Sequence, residues 1–295
     1  MNKGTATTMI TTIRRAMLPE RLQHADPAVE QLHIRAESTN TFDNLMQRPR
    51  IAIVGSRKVS TYGQTVTRQL AQELAARGIV IISGLAIGVD ALAHRAALDV
   101  AGLTMAVLPG TVEQIYPRHH TNLANDILQG GGALVSEYPP DMPALRHHFV
   151  ARNRIVAGLA DALLITEAAE NSGTMHTARF ALGQGMDVLV VPGNITSPTS
   201  KGTNNLIKSG ATPVTEIADI LYVLGLQEHE SLQATTKGGN PHEQQLITLI
   251  GQGVQDAGQL LETSQLSVEQ FNHHLTMLEI TAKIRPLGSN QWALN

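Results

Sequence analysis

"IAIVGSRKVSTYG", residues 51–63, reads as a buried strand, a turn and the start of a helix. Ile51 to Val54 are apolar without alternation, the pattern of a strand covered on both faces. Gly55, Ser56 and Arg57 break the run, and Ser60 or Thr61 can cap the helix that follows. A turn of this kind brings backbone N–H groups, a helix N-terminus and an arginine to one place, which favours a phosphate. The dinucleotide pattern Gly-x-Gly-x-x-Gly is absent. The next strand ends in Ser83-Gly84, where a dinucleotide site carries an acid for the ribose. A nicotinamide dinucleotide is therefore disfavoured.

The same theme recurs along the middle of the chain. "IVIISG" (79–84), "TMAVLPG" (104–110), "ALVSEYP" (133–139), "DALLITEA" (161–168) and "VLVVPG" (188–193) are short aliphatic runs that end in glycine, proline or a polar turn. Helical patterns near 63–77, 88–100, 119–129, 151–159 and 174–184 separate them. Strand and helix alternating at this spacing predict a doubly wound parallel α/β sheet over 50–225, with ligands at the carboxyl ends of the strands. Residues 1–49, punctuated by Pro19, Pro27 and Pro49, read as weak helix and loop that pack on the sheet as an extension. Residues 226–241, ending in Gly-Gly-Asn-Pro, read as a linker. Residues 242–295 hold three short helical patterns, two of them with capping residues Asp256 and Ser267, then two short strands around Gly288-Ser289-Asn290. That is the plan of a small winged-helix-like domain.

Composition narrows the function. The chain has 295 residues and no cysteine, which excludes disulfides, thiolate metal sites and cysteine nucleophiles. No apolar run approaches the roughly 20 residues of a membrane span, and the first 18 residues lack the apolar centre of a secretory signal, so a cytoplasmic protein is expected. Residues 50–217 carry 13 basic and 12 acidic side chains, whereas residues 242–295 carry two and five. Different partners are expected for the two parts.

Several loops at the carboxyl edge favour anions. Gly55, Ser56 and Arg57 form one; Ser172 and Gly173 open a helix; Lys201 lies in a loop before another. "YPPDMPALRHHFVARNRIVAG", residues 138–158, adds Arg146, Arg152 and Arg154 around Phe149. Arginine forks bind phosphates and an aromatic face stacks a base, so this mixture suits a single-stranded nucleic acid. Many anion-friendly loops on one edge fit a polymer backbone better than one compact nucleotide. Asp90 and His94 lie one helical turn apart but lack a third ligand, and they read as residues that shape their loop. No paired carboxylate or activated nucleophile stands out, so no catalytic residue, metal or cofactor is expected.

These blocks together resemble the DNA-processing protein A family, also called DprA or Smf. The resemblance runs strongly from residue 17 to 220. It is carried by Gly55-Ser56-Arg57, Ser83 to His94, Tyr116-Pro117, Ser136 to Pro140, Phe149 to Arg154, Glu167-Ala168, Ser172-Gly173 and Pro192 to Ala211. It implies a Rossmann-like fold and a homodimer that binds and protects single-stranded DNA and helps load the RecA recombinase in natural transformation. It also implies that Arg57, Arg118, Phe149, Arg152, Asn153 and Arg154 belong to the DNA-contacting group. The chain departs from the family pattern at Pro109, Thr111, His120, Asp141 and Val150. The competing expectation is a nucleoside-monophosphate hydrolase of the lysine-decarboxylase-like Rossmann group. That group's Pro-Gly-Gly-x-Gly-Thr turn has only the partial counterpart "VPGNITSPTS" here.

Overall fold

Residues 51–54 form the inner part of a central strand, and the reason is visible in their packing. Ile51 and Ile53 turn to one face of a sheet and Ala52 and Val54 to the other, all buried. On the first face they meet Leu70 and Leu74 of the Thr61–Ala76 helix and Ala93 and Ala97 of the Val89–Asp99 helix. On the second face the core includes Leu22, Ile155 and Val156. Each fully buried isoleucine or leucine contributes roughly 1.5–3 kcal/mol.

The structure, a computed structural model, describes residues 8–226, 238–251, 253–281, 283–288 and 290–294, without the side chains of Leu287 and Leu294. The chain divides into two compact units, Met1–Gln227 and Glu228–Asn295. In the first, nine strands form one sheet: β1 (Met9–Arg14), β2 (Gln31–Ala36), β3 (Arg50–Val54), β4 (Val80–Ser83), β5 (Thr104–Val107), β6 (Ala133–Ser136), β7 (Ala162–Ile165), β8 (Asp187–Val190) and β9 (Thr212–Pro213). Their order is β1-β2-β6-β5-β4-β3-β7-β8-β9. From β6 to β9 every pairing is parallel. The chain builds outward from β3 to β6, then crosses back to lay β7 on the other side of β3. The order reverses there, so the crevice above the carboxyl ends of β3 and β7 is the topological switch point, where this sheet class takes ligands.

The six aliphatic runs of the doubly wound reading are all strands. The N-terminal region differs from its reading as weak helix and loop. β1 pairs antiparallel with β2, and β2 pairs antiparallel with β6, so the region adds two strands to the sheet, besides the Thr41–Met46 helix. These strands mix threonine, histidine and arginine with apolar residues, and β1 lies at an exposed edge. They lack the continuous apolar run of the central strands.

Of the linker reading, residues 227–237 lie outside the described residues. The second unit contains helices Pro241–Gly251, Ala257–Ser264 and Val268–Ile280 and a hairpin of Ile284–Gly288 with Gln291–Leu294. Asp256 accepts the N–H groups of Gly258 and Gln259 at 2.9 and 3.1 Å. Ser267 and Gln270 cap each other reciprocally. Leu246, Ile250, Leu260, Phe271, Leu278 and Ile284 fill its core.

Candidate nucleic-acid interface

The turn after β3 is held from below by the end of β7. Ser56 N–H donates to the Glu167 carbonyl at 2.7 Å. The buried Glu167 carboxylate accepts the Ser60 hydroxyl at 2.8 Å and the Ser60 N–H at 3.0 Å, while Ser60 caps the next helix by accepting Gly63 N–H. Gly55 is required here for the fold: a Cβ would lie 2.7 Å from Val89 and 2.8 Å from the Glu167 carbonyl. Gly55 therefore lets two strand ends approach each other, and Ser56, Arg57 and Lys58 are left at the opening of the crevice. The Arg57 guanidinium stands 5.8 Å from the centre of the Phe149 ring, on its face.

Phe149 comes from the crossing between β6 and β7, in the short His148–Ala151 helix. It is half-buried, with Tyr116 packed edge-on at 5.2 Å between ring centres. The aromatic thus sits in a wall and is not freely exposed. Two cavities adjoin along this wall and share Arg57, Ala86, Phe149, Val150 and Arg152 in their linings. The first, about 510 Å³, reaches the Gly55–Lys58 turn, Asn153 and the segment Ser172–Thr174. The second, about 490 Å³, reaches Pro109, Tyr116, His119 and Arg146.

Beneath them lies a buried polar floor. Arg152 is 4% exposed and donates through one guanidinium nitrogen to the carbonyls of Gly84 and Val107, at the carboxyl ends of β4 and β5. A Cβ on Gly84 would collide with that guanidinium. Asp90 accepts the N–H groups of Gly84 and Ala86 at 3.1 and 3.4 Å, which shapes the loop after β4. Burial pushes its carboxyl up, opposed first by the charge of Arg152. His94 is fully buried; burial, helped by the charges of Arg152 and His120, lowers it to about 3. The Thr104 hydroxyl donates its one proton to the Ile81 carbonyl at 2.7 Å. His94 Nδ1, 2.6 Å from that hydroxyl oxygen, must then be the donor, and Nε2 is the bare nitrogen.

The residues expected from sequence are therefore sorted by depth. Gly55, Ser56, Arg57, Phe149, Arg152, Asn153, Ser172 and Gly173 line the first cavity. Arg154 is not brought to it. Its side chain is buried at 2% exposure, paired with Glu137 at 2.5 and 3.0 Å, and bonded to the carbonyls of Pro27, Ala28 and Ala151. Arg118 is exposed at the start of the Arg118–His120 turn and lines neither cavity. Lys201 is the first residue of the Lys201–Lys208 helix, not a loop residue, and its ammonium is paired with Glu170 at 2.7 Å. Sequence reading named Arg146 only as part of the basic stretch and left out Lys58, Tyr116 and His119 as site residues. Arg146 lay within the basic stretch already singled out, and Tyr116 in the Tyr-Pro element, but which of them face the crevice depends on the path of the crossing. Two departures from the family pattern are explained locally. Asp141 stands at φ 68°, a left-handed position that favours glycine. His120 Nδ1 donates to the Leu85 carbonyl at 2.8 Å.

Comparison with known proteins agrees with this architecture. The sequence profile of the family described as DNA recombination-mediator protein A matches residues 9–225. The chain is 49% identical over 179 residues to Protein Smf of Escherichia coli (strain K12), covering 61% of this chain and 48% of that protein. It is 39% identical over 175 residues to DNA processing protein DprA of Bacillus subtilis (strain 168), covering 59% of each. The chain spans about half the length of the curated relatives it matches. Among solved structures, DNA processing protein A from Streptococcus pneumoniae superposes with a TM-score of 0.65 at 33% identity, over 72% of this chain and 74% of that one. A structure of DNA processing protein A from Helicobacter pylori, described for its unique single-stranded DNA binding mode, gives 0.65 at 31% identity, over 75% and 97%. Among the described residues no helix is long and apolar enough to cross a membrane.

Proposed function

Because this chain belongs to the DNA recombination-mediator protein A family, we propose that it binds single-stranded DNA along the carboxyl edge of its sheet. The observation that carries this reading is the Arg57–Phe149 pair, backed by Tyr116, at the boundary of two adjoining cavities. A guanidinium beside an aromatic face offers a phosphate contact and a stacking surface at adjacent points, which is what an unpaired strand presents. Arg146 and Lys58 extend the positive rim. In this role the protein protects incoming strands and assists loading of the RecA recombinase during transformation and recombination, working as a homodimer in the cytoplasm.

Binding without catalysis fits the lining. Asp90 is the one carboxylate among the residues lining the first cavity, and it is already engaged by two backbone N–H groups. A nucleotide hydrolase would need a second acid or an activated nucleophile beside it. The test is a titration of single-stranded DNA at several salt concentrations, with the unaltered chain and with Arg57→Ala. Tight binding whose salt slope becomes shallower in the variant is expected. Unchanged affinity and slope would remove the crevice from the function.

A further inference from the structure

The first cavity carries polar groups that neither the fold nor a passing strand accounts for. Arg152 Nε and Ser172 Oγ are buried nitrogen and oxygen atoms without a hydrogen-bond partner, and both residues line this one cavity. Arg152 as a whole is 4% exposed, so its Nε–H is a buried donor left without a partner in a residue that lines the cavity. Buried donors of this kind call for an explanation, commonly a ligand or water. The ten-residue Thr174–Gly183 helix opens at the same wall. Met175 and His176 N–H turn back to the carbonyls of Ser172 and Gly173, both at 3.1 Å, while Thr174 N–H has no acceptor among the described residues. Over the helix start the space is open: a Cβ on Gly173 would meet no atom within 4 Å. Asp90, the acid in the lining, faces the Gly84 and Ala86 N–H groups.

We propose that the cavity between the Gly55–Lys58 turn and the Thr174–Gly183 helix is a phosphomonoester site, taking the 5′-phosphate of a DNA strand end or of a nucleoside 5′-monophosphate. A phosphodiester within a strand has two terminal oxygens and a single charge. A monoester has three acceptor oxygens and about −1.5 to −2 charges at neutral pH. Three free donors, Arg152 Nε–H, Ser172 Oγ–H and Thr174 N–H, belong to residues of this one lining and equal in number the three oxygens of a monoester, and Arg57 and Lys58 stand at the opening. A volume of about 510 Å³ leaves room for the attached nucleoside. The DNA-end half of this proposal rests on the single-strand reading above; the phosphate chemistry does not.

Gly173 supplies the test. Its φ of −58° is open to any residue, so Gly173→Asp places a carboxylate over the helix start without strain. Binding is measured on the full chain by fluorescence anisotropy, using 3′-labelled oligothymidylate with a 5′-phosphate or a 5′-hydroxyl. Thymidine 5′-monophosphate and thymidine serve as competitors. The 5′-phosphorylated strand should bind about tenfold tighter, the worth of roughly one net charge-assisted hydrogen bond. Gly173→Asp should reduce that advantage below twofold. Competition by the monophosphate and not by thymidine shows that free nucleotides enter; a 5′-phosphate advantage without it confines the site to strand ends. Equal affinity of the two strands with no competition overturns the proposal and leaves the single-strand reading standing. An advantage that survives in Gly173→Asp, with thermal stability intact, also overturns it. Direct calorimetric binding of thymidine 5′-monophosphate, but not thymidine, when neither strand binds keeps the site and rejects the single-strand reading instead; no binding of any of them overturns both.

Discussion

The rim and the floor of the crevice are built from the same residue types and do opposite work. On the rim, Arg57 and Arg146 are exposed and Phe149 is half-buried, so their charge and surface remain available. Below it, Arg152 and Arg154 are buried at 4% and 2%: Arg152 commits one guanidinium nitrogen to the Gly84 and Val107 carbonyls, and Arg154, behind the cavities, is held by Glu137 and backbone carbonyls. Three of these arginines fall within nine residues of one crossing segment. What separates them is depth: the crossing dips to the strand ends at Arg152 and turns under the sheet edge at Arg154. A cationic stretch is therefore one part ligand surface and one part scaffold, and substitutions should divide along that line.

The largest effect is expected at Arg154. Arg154→Ala leaves Glu137 without its partner and frees the carbonyls of Pro27, Ala28 and Ala151. Breaking a buried pair from one side costs about 3–5 kcal/mol. Urea unfolding should show that loss. A variant that keeps its stability but loses DNA affinity would move Arg154 from the floor to the rim.

A second floor prediction concerns acid. His94 titrates near 3 in the fold against 6.5 as a free side chain. Below pH 6.5 the unfolded chain takes up the proton and the fold does not. The stabilisation is full above 6.5 and is lost as pH falls toward 3, with a slope of up to about 1.4 kcal/mol per pH unit from this group. Burial also lowers His33, His120 and His148, so the whole chain should be acid-sensitive. In His94→Asn an amide N–H can replace Nδ1–H toward Thr104, while the titrating group is removed. Its stability curve between pH 6.5 and 3 should be flatter by up to one proton. Parallel curves would mean that His94 is charged in the fold.

Rim substitutions should act on binding alone. Arg57→Ala should weaken single-strand affinity about tenfold and make the salt slope shallower by about 0.7, the loss of one phosphate contact. Phe149→Leu should cost about 1–3 kcal/mol of binding, the usual worth of a stacked base. Both should melt within a few degrees of the unaltered chain. A collapse of stability in Phe149→Leu would place that ring with the floor, packed on Tyr116 for the sake of the fold.

How far this division could be read in advance depends on the kind of signal. The central strands were legible because burial on both faces writes a continuous aliphatic run, as in Ile51 to Val54. β1 and β2 were not, because an antiparallel extension with an exposed edge tolerates "MITTIR" and "QLHIRA", where polar residues interrupt the pattern. β9 has two residues and leaves no pattern at all. The basic stretch 146–154 was legible as chemistry. Its split into free and committed arginines was not, since Glu137, Pro27 and Ala28 reach Arg154 from distant parts of the sequence. Gly55 was legible as part of an anion-favouring turn, but not the reason it must be glycine, since Val89 and the Glu167 carbonyl that crowd it come from distant parts of the sequence.

The smallest effect is expected from removing the second unit. Residues 242–295 carry two basic and five acidic side chains. Of the basic pair, Lys283 lies 3.7 Å from the buried Glu243 carboxylate, which leaves Arg285 as the free cation among the described residues of that unit. The third helix, Val268–Ile280, presents Glu269, Gln270, Asn272 and His273 near its start and holds no lysine or arginine, where a groove-reading helix needs basic side chains beside its amides; Gln270 is also engaged in capping with Ser267. Phosphate attraction supplies most of the affinity for any nucleic acid, and this unit has almost none to give. A chain that stops at Leu226 should therefore bind single-stranded DNA within twofold of the full chain, with the same salt slope. Light scattering on both proteins keeps a change in oligomeric state from passing as a change in contact. A tenfold loss at unchanged mass, with a shallower slope, would show that the second unit holds phosphates of its own. The rim would then be half of the binding surface and not the whole of it.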